Sequence, residues 1–272
     1  MMRRIAMAAL LAFACFAQNA AAQTCVLSIS TLNFGNYSGA LLNGTAAGTV
    51  TCSSSWDIPL NAGTGVGATE TVRKLTGPGG TELNYALVTN STRTTNWGNT
   101  TGNELTGTGN TSITVYGQIA AGQYVTQGTY TDTVTSATTS FTVTVVVPAT
   151  CTIAANALNF GTYGGLAINS TTTLSVTCTK ASTYNVGLSA GQSTGATVTN
   201  RKMTGPSSAL LGYKLFSNSG YTTNWGNTVG TDTVAGIGTG TAQSLSVYGQ
   251  LPAGQFVRPG NYTDTVIATV TY

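Results

Sequence analysis

Apolar and polar residues alternate in short runs along this chain. In residues 138–151, TTSFTVTVVVPATC, Phe141, Val143, Val145 and Val147 fall on every second position, which marks a strand with one buried face. Near the C-terminus, NYTDTVIATVTY sets Tyr262, Asp264, Val266, Ala268, Val270 and Tyr272 on one face in the same way, and Trp56, Ile58 and Leu60 alternate earlier. Gly- and Asn-rich turns separate such runs and no stretch carries a helical period, so the pattern predicts an all-β chain.

The pattern also occurs twice. CVLSISTLNFGNYSG from Cys25 returns as CTIAANALNFGTYGG from Cys151, an offset of 126 residues. RKLTGPGGTELNYAL and TTNWGNTTG return as RKMTGPSSALLGYKL and TTNWGNTVG at 128, and VYGQIAAGQYVTQGTYTDTV as VYGQLPAGQFVRPGNYTDTV at 132. Small loop insertions account for the growing offset. Each repeat has the size of a globular domain rather than of a solenoid unit. The expected fold is two immunoglobulin-like β-sandwiches in tandem, residues 23–148 and 149–272.

Residues 1–22 read as a secretory signal peptide, with Arg3 and Arg4 ahead of an apolar run over residues 5–17 and small residues Ala20 to Ala22 at the cleavage site. Without Arg3 and Arg4 the count of Lys plus Arg falls from 10 to 8, against 7 acidic residues, leaving a formal charge near +1. Nucleic acid and anionic membrane are therefore not expected partners. Charged residues are 6% of the chain and hydrophobic ones 41%, a balance that suits an exported β-rich wall or fibre protein and argues against disorder. Cys15 lies within the leader. Four cysteines remain and allow three pairings; the equal separations of 27 in a duplicated chain favour Cys25 with Cys52 and Cys151 with Cys178, each stabilising its repeat by about 3 to 4 kcal/mol. There is no His and no C-x-x-C pair, so neither a metal site nor a cofactor is expected.

The leading Cys with LNFGNY or LNFGTY, the second Cys, VYGQ and the closing GTYTDTV or GNYTDTVIATVTY resemble the spore coat protein U domain family, whose members include subunits of archaic (Csu-type) chaperone/usher pili. The resemblance spans both repeats. It implies pilin-type sandwiches that lack their last strand, with the gap filled by an extension of a neighbouring subunit through β-augmentation. It also implies a periplasmic chaperone, an outer-membrane usher and a next pilin subunit as partners.

Tested against that logic, the two repeats differ. The second ends with its TDTVIATVTY strand, leaving an acceptor groove and chaperone contact expected at Val266, Ala268, Val270 and Tyr272. The first is followed at once by Phe141, Val143, Val145 and Val147, with residues 138–140 as a hairpin turn, and this tethered strand is expected to close its own domain. The alternative is a linker strand donated to another molecule. Ser136 and Thr138 stand where the second repeat has Ala268 and Val270, which makes the first groove shallower.

The two residues between the cleavage site and Cys25 offer no donor strand, so the chain accepts but does not supply. By the family resemblance that is a pilus-tip adhesin, on the cell surface, contacting a host or abiotic surface and supporting biofilm formation. Candidate contacts are the turn over residues 52–57 and the loop over residues 90–111, with Arg93, Trp97 and Leu105; packing is the competing reading of Trp97, which recurs as Trp225, and of Trp56. Asp132 and Asp264 read as turn or strand-end hydrogen bonders, and the pairs Arg73/Lys74 and Arg201/Lys202 as solvated strand ends. The competing functions are a structural coat or shaft protein and a secreted enzyme, and for the enzyme no nucleophile, base or metal constellation is visible.

Overall fold

The structure is a computed structural model that describes residues 25–137 and 139–272. The leader expectation and the turn residue Thr138 lie outside these residues. The first repeat runs β1 (Val26–Ile29), β2 (Leu32–Asn36), β3 (Leu42–Thr51), β4 (Ser55–Ile58), β5 (Arg73–Thr76), β6 (Glu82–Val88), β7 (Leu105–Thr108), β8 (Thr111–Ile119), β9 (Gly128–Thr135) and β10 (Ser140–Val147). Eight of these form one sheet in the order β1-β3-β8-β6-β5-β9-β10-β2, and β4 with β7 forms a separate ribbon. Alternation sends every second side chain inward, so Leu32, Leu75, Leu83, Val115, Tyr130 and Val134 meet in a single core.

β10 sits inside this sheet. It pairs antiparallel with β9 from Ser140 opposite Thr135 to Val147 opposite Gly128, and parallel with β2 from Val143 opposite Leu32. Phe141, Val143, Val145 and Val147 are all buried in the same core. The turn that feeds β10 is short, with the Ser136 N–H donating to the Thr139 carbonyl at 2.8 Å.

The second repeat runs β11 (Cys151–Ala155), β12 (Ile168–Cys178), β13 (Thr183–Leu188), β14 (Arg201–Thr204), β15 (Leu210–Phe216), β16 (Val234–Ile237), β17 (Ala242–Leu251) and β18 (Ala268–Thr271). Its main sheet, β11-β12-β17-β15-β14, copies β1-β3-β8-β6-β5 strand for strand and then stops. Residues 260–267 and 158–162, the counterparts of β9 and β2, make no ladder beyond the single bridge from Thr204 to Thr263, which matches Thr76 to Thr131 in the first repeat. A strand is defined by its ladder, and among the described residues nothing lies between these two segments to bond them. The chain then runs on as β18 beside β13, Ala268 opposite Leu188 and Val270 opposite Val186. The continuous strand expected over residues 262–272 is thus two pieces, an unpaired segment and a paired end.

One expectation is overturned in both repeats. Arg73 and Arg201 are not solvated strand ends but fully buried. The Arg73 guanidinium donates to the carbonyls of Asn61, Glu70, Leu60 and Trp97, and Arg201 to those of Ser189, Val198, Leu188 and Trp225. Carbonyls of loops and of a strand end are gathered onto the fixed donors of the guanidinium, which is why a charge can be buried here. Burial lowers the pKa of both guanidiniums, while Tyr85 and Tyr213 with the nearby carboxylates act in the opposite direction.

Replacing Arg73 by Met leaves those carbonyls without partners and is expected to destabilise the first domain by about 3–5 kcal/mol, read from urea denaturation followed by Trp fluorescence. A loss under about 1 kcal/mol would mean that the loops find water instead. The two repeats also predict a contrast. Val134 is fully buried against β10, whereas its counterpart Val266 is only partly buried. Val134→Asp should cost about 3–5 kcal/mol and Val266→Asp roughly half of that or less, and equal costs would contradict the difference in burial.

Candidate functional site

The gap in the second sheet is a groove with both walls in place. A side chain on Gly249 would strike Leu158 and Phe160, just as one on Gly117 would strike Leu32 and Phe34, so residues 158–160 lie over the sheet as β2 does. Glycines fix the opposite wall likewise. A side chain on Gly205 or Gly191 would strike Tyr262 or Asp264, matching Gly77 with Tyr130 and Gly63 with Asp132. Between the walls run two stretches of cavity, about 920 and 430 Å³, whose shared lining includes Leu158, Phe160, Met203 and Tyr262. These side chains are half-buried, whereas their counterparts Leu32, Phe34, Leu75 and Tyr130 are buried under β10.

A polar frame holds the outer wall. Asp264 accepts from the Gln192 N–H at 2.8 Å, the Thr265 N–H at 2.8 Å and the Tyr213 hydroxyl at 2.7 Å. Asp132 does the same work in the first domain, accepting from the Thr64 N–H and hydroxyl and from Tyr85 at 2.6 Å. Both acids are hydrogen bonders, as expected, and each ties a wall to the sheet. Burial first, and the neighbouring carboxylate second, push the Tyr85 and Tyr213 phenols well above their ordinary value, so each remains a donor.

The predicted residues fall as follows. Val266 and Ala268 line the groove. Val270 lies beyond it in β18, packed on the core, and Tyr272 is exposed. Cys25 is bonded to Cys52 and Cys151 to Cys178, the latter pair directly opposite each other on β11 and β12. Trp97 is not an exposed contact. It is fully buried, its indole N–H donating to the Ile58 carbonyl at 2.8 Å, and Trp225 repeats this with Val186. Leu105 faces Ile58 across the β4–β7 ribbon and packs on the core, while Arg93 lies over the Tyr116 ring, 5.7 Å from its centroid. The three do not form one surface.

The turn over residues 52–57 does share an end of the domain with the β9–β10 hairpin. There a cleft of about 940 Å³ is lined by Cys25, Leu27, Trp56, Asp57, Thr106 and Ala137, among others. Eight residues of β10 separate that end from the junction at Pro148, roughly 25 Å at the rise of an extended strand. The inner wall at Leu158 and Phe160 was missed in the sequence although LNFG occurs in both repeats, because a wall shows itself only against the strand that it would flank.

A family model described as the Spore Coat Protein U domain matches residues 11–136 and again 137–269. The boundary assigns β10 to the second match, although it pairs within the first sheet. Protein U of Myxococcus xanthus is 38% identical over 128 residues, covering 42% of this chain and 71% of that protein. Among solved structures, the chaperone-bound tip adhesion subunit of the archaic chaperone-usher Csu pili of Acinetobacter baumannii aligns with a TM-score of 0.57 at 16% identity, over 92% of this chain and all of that one. That likeness shows the fold, a tandem of pilin-type sandwiches. With both repeats matched across nearly the whole length, this chain belongs to the Spore Coat Protein U domain family.

Proposed function

We propose that this chain is the tip subunit of a chaperone/usher pilus and that its second domain is the point of assembly. The observation that carries the reading is the contrast between two copies of one slot, filled by β10 in the first domain and unfilled in the second. An unfilled slot presents two rows of backbone N–H and C=O groups and a row of half-buried apolar side chains, which is what an extended donor strand pairs with and packs against. In export a periplasmic chaperone covers it, and at the usher the donor strand of the next subunit replaces the chaperone.

The first domain needs no donor, since its strand is tethered to the end of β9 by the four residues 136–139 and outcompetes any free segment by effective concentration. It therefore points outward and carries attachment to a host or abiotic surface. The cleft by Trp56, Asp57 and Ala137, at the end remote from the second domain, is the proposed contact region in place of Arg93, Trp97 and Leu105. Support for the tip role comes from the fold shared with the Csu tip subunit. A structural coat role is the second reading, favoured by the identity with Protein U.

A peptide with the sequence of residues 139–148, added to the purified full chain, tests the assembly role. It should bind in a one-to-one ratio and raise the melting transition of the second domain while leaving the first unmoved. Absence of binding, with the second domain already cooperative and protease-resistant alone, would overturn it. A coat role predicts that the chain accumulates at the surface without any chaperone or usher, and pilus assembly predicts that deleting either abolishes export.

A further inference from the structure

The junction between the two domains is made by a loop that the second domain repeats without a partner. In the first domain residues 120–127 form this loop, and its tip Tyr124 packs on the bare α-carbon of Gly240, where a Cβ would fall 2.8 Å from that of Tyr124. Gly240 takes a φ of +84°, so the turn is built around a residue without a side chain. Beside it, the Gln127 N–H donates to the Lys180 carbonyl at 3.2 Å and the Ser182 hydroxyl to the Gln127 side-chain oxygen at 3.1 Å.

The counterpart over residues 252–259 is held in the same shape by the same bonds. The Tyr37 hydroxyl donates to the Ala120 carbonyl and accepts from the Gln123 N–H, and Tyr163 does so with Pro252 and Gln255. The Gln123 amide pairs with both backbone groups of Asn84, and Gln255 with both of Gly212. Gly122 N–H to Gly39 carbonyl is repeated as Gly254 to Gly165. At the tip stands Phe256, which is 99% exposed. One exposed ring is ordinary on a protein surface; what marks Phe256 is that its first-domain counterpart Tyr124, still 59% exposed, is the residue that meets the neighbouring module.

The receiving turn distinguishes the two ends of the chain. From Gly107 to Thr111 is four steps, whereas from Gly236 to Gln243, with the same cross-strand partners, is seven; the three additional residues make the turn that contains Gly240. The first domain lacks that extension and so lacks the receiving glycine.

We propose that the loop over residues 252–259 is a second docking site for the next subunit in the fibre, in which Phe256 seats on a glycine turn at the base of a module built like the second domain. The inference rests on the donor-strand reading, because the incoming strand delivers that module to the loop. Where Gln127 donates a backbone bond, the second domain has Pro259, which has no N–H, so Phe256 carries the contact by apolar packing. The fibre then repeats the orientation that the two domains of this chain already hold.

The test is a three-module chain, residues 1–267 of this protein followed by residues 136–272, so that hairpin, strand and linker recur after the second domain. Phe256→Cys in the middle module and Thr239→Cys in the last are treated with a short bismaleimide. Tyr124→Cys with Thr239→Cys in the two-domain chain is the positive control, and Val229→Cys, on a loop whose first-domain counterpart takes no part in the junction, the negative one. Cross-linking at 256 should match the positive control in yield and be lost at 229. Protease protection of the middle module reports separately whether the strand has filled its groove. Protection without the cross-link, or equal yields at 256 and 229, overturns the docking site and leaves the strand reading standing; no protection overturns both.

Discussion

Every N–H and C=O on the two strands that flank a gap in a sheet needs a partner, and that demand organises this molecule. In the first domain β10 meets it along both edges, bonding β9 on one side and β2 on the other, and covers the core with four side chains in the same stroke. In the second domain the same two flanks stand apart, and neither is a strand because neither has a ladder. Water satisfies the exposed backbone, but it cannot replace the apolar cover, which leaves Leu158, Phe160, Met203 and Tyr262 half-buried.

An open slot is useful only if it stays open, and the polar frame explains how it does. Arg201 binds four backbone carbonyls, Asp264 ties the outer wall to Tyr213, and Tyr163 with Gln255 braces the loop that enters that wall. None of these bonds depends on the missing strand, and all have counterparts in the filled domain. The second domain therefore keeps the first domain's shape minus one strand, so an incoming segment meets a largely preorganised site and less of its binding energy is spent on ordering the receiver.

Much of this was legible in the sequence, for identifiable reasons. The duplication, the two disulfide pairs and the strand at Phe141 to Val147 are carried by spacing and alternation, which a chain displays directly. Arg73 and Arg201 were misread because charged side chains usually lie in water; only their recurrence ahead of TGP in both repeats hinted otherwise, and the carbonyls that justify their burial lie between 3 and 24 residues away and converge only in the fold. Trp97 offered an aromatic contact on paper, yet its ring fills the space beneath the β4–β7 ribbon, and its repetition as Trp225 was the better guide. The crossing of β18 to pair with β13 has no local signature, since the alternation over residues 262–272 is unbroken where the chain changes partner.

Amide hydrogen exchange on the full chain tests the central claim most directly, because it reads backbone pairing at each flank of each slot. The account predicts slow exchange of the amides that face the filled slot, Tyr37, Tyr130, Asp132 and Val134, and fast exchange of their counterparts Tyr163, Tyr262, Asp264 and Val266, with β12, β15 and β17 protected in the same molecule. Equal protection of the two sets of flanks in the isolated chain would mean that the second slot is already filled, and the account would be wrong.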